Sequence, residues 1–166
     1  MSTPSLRAWL FDARRPCQPP RCALLALWAL ILAFSVYFSA AAIRRHDAHL
    51  THKADLGQID QAIWNTSQGR FVQEVKEEQL STRLSDHVEP IFLPLSLLFR
   101  LWDDVRALLI LQALAVALGA WPVFFIAWLR LDLHWDGAAA PAKSSARRAG
   151  YQALAALAFA LAWLLY

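Results

Sequence analysis

Two polar stretches carry the residues that could do chemistry. Residues 54–71 read ADLGQIDQAIWNTSQGRF and hold Asp55 and Asp60; residues 81–102 read STRLSDHVEPIFLPLSLLFRLW and crowd Arg83, Asp86, His87 and Glu89 together. A carboxylate at such a place can take the proton of an attacking hydroxyl, which is general-base catalysis. A guanidinium can stabilise an anionic leaving group such as a phosphate. Each residue also has a plainer reading. Asp55 stands just before an apolar pattern with Gln58 three residues on, which fits an N-cap with a variant capping box. Arg83 could simply pair with Asp86 or Glu89. His46, His49 and His52 recur every third residue, but a step of 300° drifts around a helix and no carboxylate spacing completes a ligand set. A solvated histidine cluster is the favoured reading, and no metal ligand is assigned.

The surrounding elements make the position of these groups unusual. Of the 166 residues 58% are hydrophobic and 17% charged, and the mean hydropathy is +0.35. A soluble domain carries about 25% charged residues, so the balance points to a membrane protein. Three runs without a charge supply the excess: 22 residues over 22–43, 23 over 107–129 and 18 over 149–166. A helix needs about 20 residues to cross the hydrocarbon. A signal peptide is the competing reading of the first run, with FSAAA imitating a cleavage site, but the run is long for an h-region.

The expected architecture is all-α, with multi-pass transmembrane helices and an outer loop of amphipathic juxtamembrane helices. Its parts are a cytoplasmic leader over 1–21, transmembrane helices over 22–43 and 105–129, an outer loop over 44–104, a cytoplasmic loop over 130–148 and a third transmembrane helix over 149–166. The third run reaches the last residue with no polar flank, which reads as an N-terminal piece of a longer protein.

Charge sets the expected orientation. The leader holds Arg7, Arg14, Arg15 and Arg21 against Asp12, whereas residues 44–106 hold eight basic residues against ten acids. The positive-inside rule then places the N-terminus in the cytoplasm and the long loop outside. The net charge of +3 is spread around membrane segments, so no nucleic-acid partner is expected. Cys17 and Cys22 read as plain thiols.

At 100° per residue, Leu56, Ile59, Ala62, Ile63 and Thr66 share one face of a helix. Gln58, Gln61, Asn65 and Gln68 share the other. This predicts a helix lying in the bilayer interface, with Trp64 at headgroup level beside Asp60. The apolar segment after Pro90 is too short to cross and contains Pro94, so it reads as re-entrant or interfacial.

DLGQIDQAIWNTSQGR, SDHVEPIFLPLSLLFRLW and LLILQALAVALGAWPVFF together resemble the opening of a bacterial family of predicted multi-pass membrane proteins of unknown function. That family is similar in turn to the GT-C class of membrane glycosyltransferases, such as protein mannosyltransferases and aminoarabinose transferases. The resemblance covers roughly residues 44 to 130. It implies a sugar moved from a polyprenyl-phosphate donor at the outer leaflet, with Asp55 as the base, although the class often has Asp-Glu where this chain has Asp55-Leu56. Asp60, Arg83, Asp86, His87 and Glu89 are then the expected substrate-binding residues. Arg83, or a divalent cation, would answer the charge of the departing phosphate. The other reading is a non-enzymatic transporter or assembly component. Transport would place ionisable groups or broken helices near mid-membrane, where the runs offer only Gln112, Gly119 and Pro122.

Overall fold

A computed structural model describes residues 18–51, 53–76, 79–85, 89–136 and 145–166. The expected leader and the middle of the expected cytoplasmic loop therefore lie largely outside the described residues. Within those described, the helices are α1 (Arg21–Asp47), α2 (Lys53–Ser67), α3 (Phe92–Leu101), α4 (Arg106–Leu118), α5 (Ala120–Asp136) and α6 (Ser145–Leu165). Among the described residues the fold is all-α apart from one antiparallel hairpin of β1 (Gln73–Lys76) and β2 (Gln79–Thr82), in which Gln73 faces Thr82 and Lys76 faces Gln79. Among the described residues three helices are long and apolar enough to cross a membrane: Arg21–Asp47, Arg106–Leu131 and Arg147–Leu165.

The fold divides into two compact units, Met1–Phe34 with Val116–Tyr166, and Ser35–Ala115. The first is an apolar helical packing. Ala23, Leu27 and Ile31 recur every fourth residue on α1 and are buried with Phe124 and Trp128 of α5 and Ala153, Ala156 and Ala160 of α6. The alanine stripe lets helix backbones approach and leaves room for the two large rings. Gln152 is buried here because its amide donates to the Trp128 carbonyl at 2.9 Å.

The helix running from Arg106 to Leu131 is interrupted at Gly119. Pro122 has no N–H to offer the Leu118 carbonyl, and its ring crowds that carbonyl, so the ladder breaks one turn earlier. A side chain is also excluded at this break. A Cβ on Gly119 would lie 2.7 Å from the Trp163 ring nitrogen, which itself donates to the Val116 carbonyl at 3.0 Å.

The second unit is built around α2. Its apolar face is buried: Ala62 and Ile63 pack with Val72, Phe92, Phe99 and Leu108, with Ile59, Leu95 and Val105 at the margin. The expected interfacial helix is therefore covered by protein along this face, not by lipid. The expected polar face is also not free. Asn65 is buried, its amide donating to the Gln73 carbonyl at 2.9 Å and its carbonyl accepting from Arg70 Nε at 2.8 Å. Those bonds occupy the side chain of the one glycosylation sequon, NTS.

Helix ends are closed by one device used twice. Leu50 N–H donates to Arg45 O and His49 N–H to His46 O; likewise Arg70 N–H donates to Asn65 O and Gly69 N–H to Thr66 O. These are Schellman closures, which need a left-handed residue at the turn. Gly69 supplies it at φ 82°, and His49 at φ 57°. Three residues later Val72 also has a positive φ of 49°, a strained conformation for a β-branched residue. It is held there by burial and by its N–H donating to Thr66 Oγ1 at 2.9 Å.

α3 has ten residues, about 15 Å at 1.5 Å per residue and about half the hydrocarbon thickness. Pro94 sits in its first turn, where backbone N–H groups have no helical partner to lose.

Candidate functional site

The acids are positioned by the turn that joins α1 to α2. Arg44, Arg45 and His46 occupy the last turn of α1, where positive charge suits the helix dipole. The Schellman closure at His49 then reverses the chain, and α2 begins at Lys53. Asp55 accordingly lies inside the first turn of α2, two residues beyond its start. The N-cap reading is corrected to a first-turn position, which the dipole also favours for an acid.

Asp60 follows five residues later, about 7.5 Å along the helix axis. It lines a cavity of about 230 Å³ with His46, His49, Thr51, Leu56, Gly57 and Val105. Thr51 Oγ1 is 3.1 Å from His46 Nδ1, within hydrogen-bonding distance. Asp60 Oδ1 is buried and has no hydrogen-bond partner among the described residues. Burial raises the Asp60 carboxyl above the ordinary carboxylate range, and the charges of Asp103 and Asp104 add to this; His46 opposes it. A half-buried acid whose pKa is raised, in a cleft with two imidazoles, has the character of a proton-transfer group.

The acids at the foot of α4 are tied down. Asp103 Oδ2 accepts from the Trp64 ring nitrogen at 3.3 Å, so Trp64 is anchored by a side chain as well as placed beside Asp60. Arg106 links Asp47 at 2.7 Å to Asp104 at 2.9 Å. The Asp104 carboxyl is held below its ordinary range, first by the Arg106 backbone N–H and then by its guanidinium.

Arg83 lies elsewhere in the same unit, after the hairpin. Its Nε donates to Glu89 Oε2 at 2.7 Å, and its Nη1 stands 3.5 Å from Glu74 Oε2. The second contact is an ion pair without hydrogen-bond alignment. The Glu89 hydrogen bond is the main cause that raises the Arg83 pKa. Glu74 is 1% exposed, and Phe92 closes the other side with its ring centroid 5.7 Å from the guanidinium. Of the two pairings open to Arg83 in the sequence, the one with Glu89 is present, and the one with Asp86 falls outside the described residues. The structure also adds Glu74, which the sequence reading missed. The only signal for Glu74 was its place in the short alternating stretch QEVK, too brief to mark a strand.

The structure thus brings Asp60 together with His46 and His49, and Arg83 together with Glu74 and Glu89. Asp86, His87 and His52 lie outside the described residues. Among the described residues, no group of three His, Cys, Asp or Glu side chains is placed to hold a metal ion.

The Asp60 environment sets a pH-dependent expectation. Folding raises this group's pKa, so its stabilising contribution is full below the ordinary carboxylate value and lost as pH rises through the raised value. Asp104 has the opposite sign: its contribution is present above the ordinary value and lost as pH falls through its depressed one. Asp60→Asn removes the cost of ionising a half-buried carboxyl. Thermal unfolding of the purified protein between about pH 4 and pH 7 is expected to show the variant more stable than wild type at the upper end, with the gap closing towards the lower. A gap that stays constant with pH would mean that Asp60 ionises as freely folded as unfolded.

A family model described as Predicted membrane protein (DUF2079) matches residues 45–166. Neither the comparison with curated proteins nor that with solved structures finds a match.

Proposed function

The chain belongs to the DUF2079 family of membrane proteins, and from that premise we propose that it serves a GT-C-like transferase acting at the outer leaflet on a sugar carried by polyprenyl phosphate. The observation that carries this reading is the placing of two carboxylates, Asp55 and Asp60, on the helix that directly follows a membrane-length helix. A lipid-linked donor keeps its anomeric carbon near the headgroups, so the reacting groups must stand at a span's end.

In the proposed step Asp55 takes the proton of the acceptor hydroxyl. The acceptor oxygen forms a bond to the anomeric carbon as the bond to the phosphate oxygen breaks, and the phosphate leaves with the electron pair. Asp60, beside His46 and His49, orients the acceptor or donor hydroxyls. Asp86, His87 and Glu89 complete the substrate contacts. Arg83 already answers two carboxylates, so its part is to hold the loop. The charge on the departing phosphate would then fall to a divalent cation, for which the described residues group no set of three ligands.

Orientation tests the proposal. In a variant lacking Cys17 and Cys22, single cysteines at Gln79 and Ser144 are challenged with an impermeant thiol reagent on intact cells. Position 79 is exposed and is expected to be labelled, while position 144 is labelled only after permeabilisation. The reverse pattern would put the carboxylates in the cytoplasm and end the outer-leaflet reading.

A further inference from the structure

A second cavity lies at the far end of α2 from Asp55, where the Schellman turn at Gly69 meets α3. It has a volume of about 460 Å³ and is lined by Thr66, Gly69, Phe71, Leu93, Pro94, Ser96 and Leu97. Its size falls in the range of ligand sites, roughly 300–1,000 Å³, and is too small for a helix about 10 Å across. Phe71, Leu93 and Leu97 are each about half exposed.

The two hydroxyls in its wall are already used. Thr66 Oγ1 donates to the Ala62 carbonyl at 2.7 Å and accepts from Val72 N–H at 2.9 Å. Ser96 Oγ donates to the Leu93 carbonyl at 2.7 Å. A peptide entering this groove would bring backbone N–H and C=O groups that need partners. The wall side chains offer no donor to its C=O groups, because both hydroxyl protons are committed. A hydrocarbon chain needs none.

We propose that this groove seats one acyl chain of an anionic membrane phospholipid. The surroundings supply the rest of such a site. Ile91, Leu101 and Trp102 extend the exposed apolar surface along α3. Two exposed cations adjoin the lining residues in sequence and could answer a lipid phosphate: Arg100, one turn beyond Leu97, and Arg70, between Gly69 and Phe71, whose Nε donates to Asn65 and whose guanidinium lies 5.0 Å from the Trp64 ring centroid. The same unit carries the ends of two membrane-length helices, Arg21–Asp47 and Arg106–Leu131, so lipid is the solvent at hand. The proposal requires no chemistry at Asp55 or Asp60 and stands apart from the transferase reading.

The test places benzoylphenylalanine at Leu97 of the protein in its own membranes and identifies the photo-adducts by mass. A second arm counts the lipid that stays with the purified chain and repeats the count for Leu93→Trp and Arg100→Gln. The expected result is a phospholipid adduct at position 97 and one retained phospholipid per chain. That lipid is lost when Leu93→Trp fills the groove. In nanodiscs, Arg100→Gln keeps a lipid but no longer prefers phosphatidylglycerol to phosphatidylcholine. Both substitutions are at exposed positions, and the helix content of each variant is checked by circular dichroism. A protein adduct, a polyprenyl adduct or no adduct at position 97 would overturn the proposal. So would an adduct without retained phospholipid, which marks ordinary bilayer contact.

Discussion

Asp55→Asn is expected to abolish transfer as thoroughly as Asp55→Ala, each by about 10²-fold or more, because neither side chain can accept the acceptor's proton. A structural role predicts a different pair of results. Asp55 sits in the first turn of α2, where losing a negative charge costs roughly 0.3–1 kcal/mol of dipole interaction. Such a loss would leave most molecules folded and active in either variant. The measurement is transfer from a lipid-linked sugar by the protein as cells make it, with expression and helix content matched to wild type. Full activity in Asp55→Asn would remove Asp55 as the base and make Asp60, whose pKa is raised by burial, the next residue to test.

Arg83→Met is expected to destabilise the protein by about 3–5 kcal/mol, the usual cost of removing one partner from a buried ion pair. Glu74 is the reason. It is 1% exposed, and among the described residues Arg83 is the cation paired with it; without the guanidinium, the carboxylate keeps its desolvation cost and loses that compensation. Arg83→Lys should recover only part of the loss, since an ammonium cannot reach Glu74 and Glu89 together as the planar fork does. Pairing Arg83→Met with Glu74→Leu should restore most of it, because the carboxylate then left without its partner is Glu89, which is one-third exposed and solvated. Thermal unfolding of the three variants reads this directly. A neutral Arg83→Met would mean that Glu74 is compensated otherwise, and that the hairpin does not depend on Arg83.

The helices were legible because their signals are long. The charge-free run over 22–43 lies within α1, Arg21–Asp47, and the interval from Leu56 to Ile63 placed the buried face of α2 correctly. What covers that face was not legible. Ile63 meets Phe92 and Leu108, 29 and 45 residues away, and periodicity says only that a face is apolar. The hairpin escaped because each strand has four residues and one of them, Glu74, is a buried acid that reads as a surface residue. The Asp60 site escaped for the same reason of distance. Its cavity is closed by His46, His49 and Val105, and its charge environment comes from Asp103 and Asp104. Asp55, by contrast, was singled out by resemblance and by its place before an apolar pattern, and the backbone moved it from the cap into the first turn.

The central claim is that this protein consumes a lipid-linked sugar. Its most direct measurement is the lipid extract of cells with and without the protein, analysed by mass for polyprenyl-phosphate-linked sugars. Loss of the protein is expected to make one such donor accumulate, with restoration by wild type and not by Asp55→Asn. An unchanged donor profile, in cells where the protein is normally made, would contradict the claim.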